Sequence, residues 1–295
     1  MIDRCLAQAV KLDRRHLGMR GAMSVVILLS LATSAAAEGS KLQDIEKNVQ
    51  SCNRIAEVSP DDRIRSCSAL IESGSQTPRT LAIAYNNRGG AYYRKGDYDI
   101  AIEDYDKSIK ADPRYARAFN NRALAYRKKN DYARAIADFN QAIRLDPKSA
   151  SAFANRAELF RKKGEYKRAS SDYSSALRIL PALEGVRNAR CWVRAIMGEL
   201  KLALADCNEA LRLEPNVAAT FDSRGLTYLK MRQWDAAIAD YNSALKLEPQ
   251  MASSLYGRGL IQLQRGNVSD GNADIAAAMA IEPNIKSEFA RYGVK

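Results

Sequence analysis

Only one side chain in this sequence has a pKa suited to proton transfer near neutrality, the lone histidine His16, and it precedes a segment that reads as the core of a removable leader. Without it there is no Ser-His or Cys-His nucleophile pair, no imidazole base and no imidazole metal ligand. Adjacent carboxylates stand at Asp61-Asp62 and Glu103-Asp104, where helix capping and helix solvation account for them. No glycine-rich loop follows a strand, because no segment reads as a strand. These residues argue for a protein that is not an enzyme and that carries no cofactor and no metal.

The residue types that recur are suited to holding rather than reacting. Arg88, Arg122, Arg156, Arg190, Arg224 and Arg258 repeat every 34 residues, and so do Asp104, Asp138, Asp172, Asp206, Asp240 and Asp274. A guanidinium fork matches a carboxylate with two parallel hydrogen bonds. The two columns are therefore expected to form a ladder of structural ion pairs; the competing use is arginines turned toward a ligand. Asparagines recur at Asn86, Asn87, Asn120, Asn121 and Asn155. A carboxamide offers an acceptor and two donors, so a row of them can pair with extended peptide backbone of any sequence. The alternative is that these amides bridge neighbouring helices. Cys52 and Cys67 stand 15 residues apart, and Cys191 and Cys207 stand 16 apart. Four cysteines allow three connectivities. Each of these pairs straddles a turn and would lie at one height on facing helices, which favours Cys52–Cys67 with Cys191–Cys207. Four buried thiols are the alternative, and neither pair has the spacing of a zinc site.

The elements that must position these columns follow a period. Pro113, Pro147, Pro181, Pro215, Pro249 and Pro283 stand 34 residues apart without a slip. A fixed step of that length means one supersecondary unit copied in series. Counting back from each proline gives units 82–115, 116–149, 150–183, 184–217, 218–251 and 252–285. Apolar residues recur three and four apart within a unit, as from Ala133 to Ile143, which predicts amphipathic helices. Gly96, Asn130, Gly164, Gly198 and Gly266, at position 15, are suited to end the first helix. The prolines stand just past the second, where a missing N–H breaks no internal bond. Small residues at positions 20 and 27, and large ones at positions 4 and 24, let paired helices approach and fill the space between them. The fold class is all-α, built of helical hairpins.

Tyr85, Gly89, Tyr92, Ala101, Tyr105, Ser108 and Pro113 in the first unit, with the same columns in the others, resemble the tetratricopeptide repeat (TPR). The six units cover 204 of the 295 residues. Unit four departs from the pattern at Arg187, Cys191 and Arg194, and unit six at Gln262 and Gly271; both are expected to be irregular or looser. The resemblance implies a right-handed superhelical solenoid whose first helices line a concave groove, with positions 2, 5, 6, 9, 12 and 13 facing a ligand. It places the five asparagines in that groove and makes Arg94, Arg127, Lys128, Arg161 and Lys162 a basic rim, although such residues also suit the last turn of any helix. Trp192, at position 9 of unit four, would offer an aromatic surface that anchors a ligand side chain or packs beside Cys191.

Arg14, Arg15 and Arg20, the apolar run from Ala22 to Leu31, and Ala35-Ala36-Ala37 follow the order of a secretory signal. Residues 1–37 are expected to be a signal peptide, 38–79 an N-terminal helical hairpin cap, 80–285 the six units, and 286–295 a C-terminal capping helix and tail. The apolar run is short for a membrane span, so membrane association is expected only if the leader is kept. A periplasmic or secreted location permits both disulfides. The chain carries a net +12, and the leader's five basic and two acidic residues leave +9 on the remainder. A basic surface attracts acidic partners; export argues against nucleic acid. The expected function is a non-catalytic interaction scaffold or adaptor. Its partner is another protein or peptide, with an acidic segment or a free C-terminus, held in the groove of units one to three. The alternative is a basic module for anionic envelope polysaccharide or lipid headgroups.

Overall fold

The computed structural model describes residues 45–53, 58–74 and 76–294, so the segment expected to be a signal peptide, the first residues of the cap and Lys295 lie outside the described residues. Regular structure among the described residues is helical throughout. A helical segment at 45–53 (α1) is followed by α2 Pro60–Glu72, α3 Pro78–Lys95, α4 Tyr98–Ala111, α5 Ala116–Lys128, α6 Tyr132–Leu145, α7 Ala150–Lys162 and α8 Tyr166–Ile179. Then come α9 Val186–Ile196, α10 Leu200–Leu213, α11 Ala218–Lys230, α12 Trp234–Leu247, α13 Ala252–Gln264, α14 Val268–Ile281 and α15 Ile285–Arg291. Each helix from α2 to α14 packs on the next, and first helices of successive units also touch, as α9 does α11 and α11 does α13. This serial contact makes an all-α solenoid. No described helix is long and apolar enough to cross a membrane.

The turn inside each hairpin has one geometry. Gly96, Asn130, Gly164, Gly198 and Gly266 adopt positive φ, and so does Arg232 (φ 58°), at the same position of unit five. The left-handed residue lets the next amide reach back to a carbonyl near the helix end, as Asp97 N–H does to Tyr92 O (3.0 Å) and Gln233 N–H to Tyr228 O (2.9 Å). A side chain with a Cβ costs roughly 1 kcal/mol there, so unit five keeps the turn against local preference.

Between paired helices, Ala101, Ala135, Ala169, Ala203 and Ala237 are fully buried beside Tyr105, Phe139, Tyr173 and Tyr241. The approach is close: a Cβ on Gly89 would fall 2.9 Å from the Tyr105 ring, and one on Gly225 would fall 2.8 Å from the Tyr241 ring. In unit four these two places are taken by Cys191 and Cys207, joined by a disulfide (S–S 1.97 Å). A covalent bond thus replaces the glycine–aromatic contact. Units four and six both form complete hairpins. Unit four is irregular beyond its disulfide: its first helix follows a left-handed Gly185 and is shorter, 11 residues against 13 in α5.

The cap is a hairpin too. A second disulfide, Cys52–Cys67 (S–S 2.05 Å), ties α1 to α2, and α2 packs on α3. Ser59 caps α2, its Oγ accepting from Asp62 N–H (3.1 Å) with Pro60 at the first helical position. At the other end α15 starts one residue earlier than expected. This helix and the residues after it do more than close the stack: Phe289 of α15 packs on Tyr256 (4.8 Å between ring centroids), and Tyr292 reaches back to Trp192 (5.2 Å).

Candidate functional site

The arginine column is committed to structure. Arg88 Nε and Nη2 donate to both oxygens of Asp104 (2.8 Å each). Arg122 does the same to Asp138 (2.8 and 2.7 Å), Arg156 to Asp172 and Arg190 to Asp206. Arg224 pairs with Asp240 and Arg258 with Asp274. The third nitrogen, Nη1, reaches the second helix of the preceding unit, at Asp106, Asn140, Ser174, Asn208 and Asn242 in turn. Arg88, with no full unit before it, reaches Ser68 of the cap (2.9 Å). Each guanidinium therefore fastens its own hairpin and the neighbouring one. Burial pushes the Arg122 guanidinium down, but hydrogen bonds and charge from Asp138 and Asp106 more than reverse this. In unit four, Arg194 adds a second donor to Asp206 (2.7 Å).

Four of the five asparagines join in one chain of amides. Asn87 Nδ2 donates to Asn53 Oδ1 (3.0 Å), and Asn86 Nδ2 to Asn87 Oδ1 (3.3 Å). Asn121 Nδ2 donates to Asn86 Oδ1 (2.9 Å), and Asn120 Nδ2 to Asn121 Oδ1 (3.3 Å). The chain crosses from the cap to unit two and ends on Asn120, whose Oδ1 is buried without a hydrogen-bond partner among the described residues. Asn155 lies one unit farther on, half-buried. The structure shows the bridging use for four of these amides, and the bridge ends on an acceptor with no donor among the described residues.

The basic residues divide. Arg161 is occupied by Glu158 through two hydrogen bonds (2.8 and 2.7 Å) and lies over Trp192, 5.2 Å from its centroid. Burial pushes the Glu158 carboxyl up, but Arg161 and the Tyr173 hydroxyl outweigh this and hold it below its usual range. Lys128, Lys162 and Arg94 are exposed, and Arg127 is half-buried. Trp192 is half-buried. It stands between Tyr166 (5.9 Å) and Tyr292 (5.2 Å). Lys230 Nζ donates to Ile196 O (3.1 Å) and Tyr292 O (2.7 Å). The C-terminal segment thus packs against one side of Trp192.

The cap and the first two units share a hollow. A cavity of about 180 Å³ there is lined by Arg63, Arg94 and Arg117 with Asn86, Asn87 and Asn121. Arg63 is 3% exposed. Its Nε donates to Cys52 O (3.1 Å), and its Nη2 is buried without a partner among the described residues. Burial, with the like charge of Arg94, lowers the pKa of Arg63. A larger hollow of about 410 Å³ adjoins it at Arg117, Asn120, Asn121 and Ser151. Sequence reasoning missed Asn53 and Arg117, though Asn53 stands 34 residues before Asn87 and Arg117 holds position 2 of unit two. Nothing in the period pointed to Arg63 or Tyr292.

The sequence profile of the tetratricopeptide repeat matches residues 86–150, 120–184 and 223–281, more than half of the chain. No curated protein matches it by sequence. Among solved structures, YrrB, a TPR protein with an unusual peptide-binding site, is similar with a TM-score of 0.52 at 21% identity, over 65% of this chain and 100% of its own. PilF of Pseudomonas aeruginosa gives 0.60 at 18%, over 73% and 99%. PilW, a widely conserved type IV pilus biogenesis factor, gives 0.60 at 20%, over 71% and 98%. Identities this low speak to the fold alone. Profile and fold agree on every hairpin they share with the 34-residue step, and the chain belongs to the tetratricopeptide repeat family.

Proposed function

We propose that this protein is an exported, non-catalytic scaffold that captures an extended, acidic peptide in the concave groove of its first three units. A TPR solenoid suits protein–protein contact because stacked hairpins offer one long surface. The observation that carries the finer reading is Asn120 Oδ1, a buried acceptor without a donor among the described residues, at the end of an amide chain and beside a hollow. An unmet buried acceptor is costly, and a peptide N–H would satisfy it. Arg117 and Lys128 on the same first helix supply the positive charge that suits an acidic segment. Export is supported by the composition of residues 1–37 and by two disulfides, which persist in oxidising compartments.

Fluorescence anisotropy with a short, labelled, glutamate-rich peptide tests this. Asn120→Ala and Asn121→Ala are expected to weaken binding about tenfold, the loss of one good hydrogen bond. Equal binding by both variants, together with equally tight binding of anionic vesicles that collapses with salt, would replace the peptide reading with the polyanion one.

A further inference from the structure

We propose that unit four holds a binding site for a phenolic ring, in the space left where a guanidinium replaces the aromatic side chain of position 4. The site shares no residue with the amide chain and does not depend on the groove reading.

In unit two the same place is filled. Phe119, at position 4, packs on Ala142 of its own second helix and on Ala152 of the next unit, with Leu145 against them. In unit four those columns are Ala210, Thr220 and Leu213, and position 4 is Arg187. The guanidinium is drawn to the loop before α9, where Nη2 donates to Pro181 O (2.8 Å). Ala210, Thr220 and Leu213 then line a cavity of about 240 Å³, which Leu183 and Val217 help to enclose. The helix beside it also begins late. α9 opens at Val186 after the left-handed Gly185, in a unit that starts at 184, whereas α5 opens at Ala116, the first residue of its unit. A missing ring and a missing helix start leave the hollow between the counterparts of the residues that enclose Phe119. An apolar cavity of about 150 Å³ is enough to bind benzene, so this one has room for a ring.

The polar groups at the cavity specify which ring. Arg187 and Asn188 both line it. Arg187 Nε, a donor, and Asn188 Oδ1, an acceptor, are each buried without a hydrogen-bond partner among the described residues, and such groups are costly. A hydroxyl both donates and accepts, so one phenolic O–H serves both atoms once their side chains turn toward it. Glu214 lines the cavity as well, and its carboxylate disfavours an anionic ring. A phenol stays neutral below about pH 10. The ligand class is therefore a neutral phenol, a chemistry shared by a tyrosine side chain of a partner and a small free phenol.

The experiment uses the full chain with both disulfides formed. Methyl resonances of Leu213 and Val217 are followed during titration with p-cresol. A saturable shift is expected, with nuclear Overhauser contacts from the p-cresol ring to both side chains. Toluene has the same shape without the hydroxyl and should bind about tenfold more weakly. Asn188→Ala should bring the p-cresol affinity down toward that of toluene. Arg187→Phe restores the ring of the column; it should abolish the shift while raising the melting temperature by a few degrees, which separates loss of binding from loss of fold. N-acetyltyrosinamide distinguishes the two sources. Its binding at the same methyls supports a tyrosine side chain as ligand, and its exclusion while p-cresol binds supports a small free phenol. Absence of a saturable shift at Leu213 and Val217, or a shift that survives in Arg187→Phe, overturns the site. Equal affinity for toluene and p-cresol overturns the assignment to a phenol.

Discussion

The phenol ring of Tyr292 stands edge-on to the indole of Trp192, with 5.2 Å between centroids and 83° between planes. One lies just past the last helix and the other in unit four, so the chain end folds back across two intervening units. Edge-to-face pairs of this kind contribute roughly 1 kcal/mol beyond the area they bury. Tyr292→Ala should therefore lower stability by about 1–2 kcal/mol and make tryptophan emission more open to acrylamide quenching. Unchanged quenching and melting would mean that the tail does not rest on Trp192.

Asp138→Ala should be among the most damaging single changes. It leaves Arg122 without the partner of two hydrogen bonds, and breaking a buried pair costs roughly 3 kcal/mol. Asp106→Ala removes an exposed partner of the same arginine and should cost under about 1 kcal/mol. Denaturant melts of the two variants side by side check the order; equal losses would contradict it.

The two disulfides should differ in reach rather than size. Each closes a loop of similar length, 15 and 16 residues in separation, worth roughly 3 kcal/mol. Cys52→Ser with Cys67→Ser should loosen the cap alone. Cys191→Ser with Cys207→Ser lies mid-stack, where a nearest-neighbour array divides into two weaker blocks. Amide exchange should show fast protons confined to residues 58–74 in the first case and spread on both sides of unit four in the second.

Asp222 gives the fold a pH dependence. Burial pushes its carboxyl up to about 6, against hydrogen bonds from Ser254 (2.6 Å) and Ser253, with Glu248 adding to the rise. The unfolded chain titrates near 3.9, so the folded state holds the extra proton between about pH 4 and 6. Stability from this group is present below pH 4 and is lost as pH rises through 6. Asp222→Asn should remove that slope and stabilise the protein at pH 7 by roughly 3 kcal/mol. A variant with an unaltered slope would show that the carboxyl titrates normally.

Much of this was legible because a period repeats its own argument. The small and aromatic columns, the turn at position 15 and the Arg–Asp pairs each recur in most units, so local preference and packing agree many times over. Arg232 broke the turn rule by residue type and kept it in conformation, since the flanking hairpin fixes the turn whatever occupies it. What stayed hidden depended on contacts between dissimilar parts. Arg63 meets Cys52 O within the cap, and Tyr292 meets Trp192 from the chain end. Neither contact repeats, and a contact made once leaves no mark in a pattern. The amide chain was half legible: its residues were visible, but its course from the cap to Asn120 required the heights of three hairpins.

Arg122 stands sixteen residues from Asp138 and sixteen from Asp106, and Arg156, Arg190, Arg224 and Arg258 keep the same two distances on either side. The acceptors on the preceding side, an aspartate, three asparagines and a serine, are interchangeable as acceptors. A deletion of one complete period between any two of these arginines would leave every guanidinium with a partner on both sides, and a duplication would do the same. An insertion of any other length would misalign the forks that it separates. The gene can therefore lengthen or shorten its product in whole hairpins at little cost to stability, while smaller changes of length are confined to the turns.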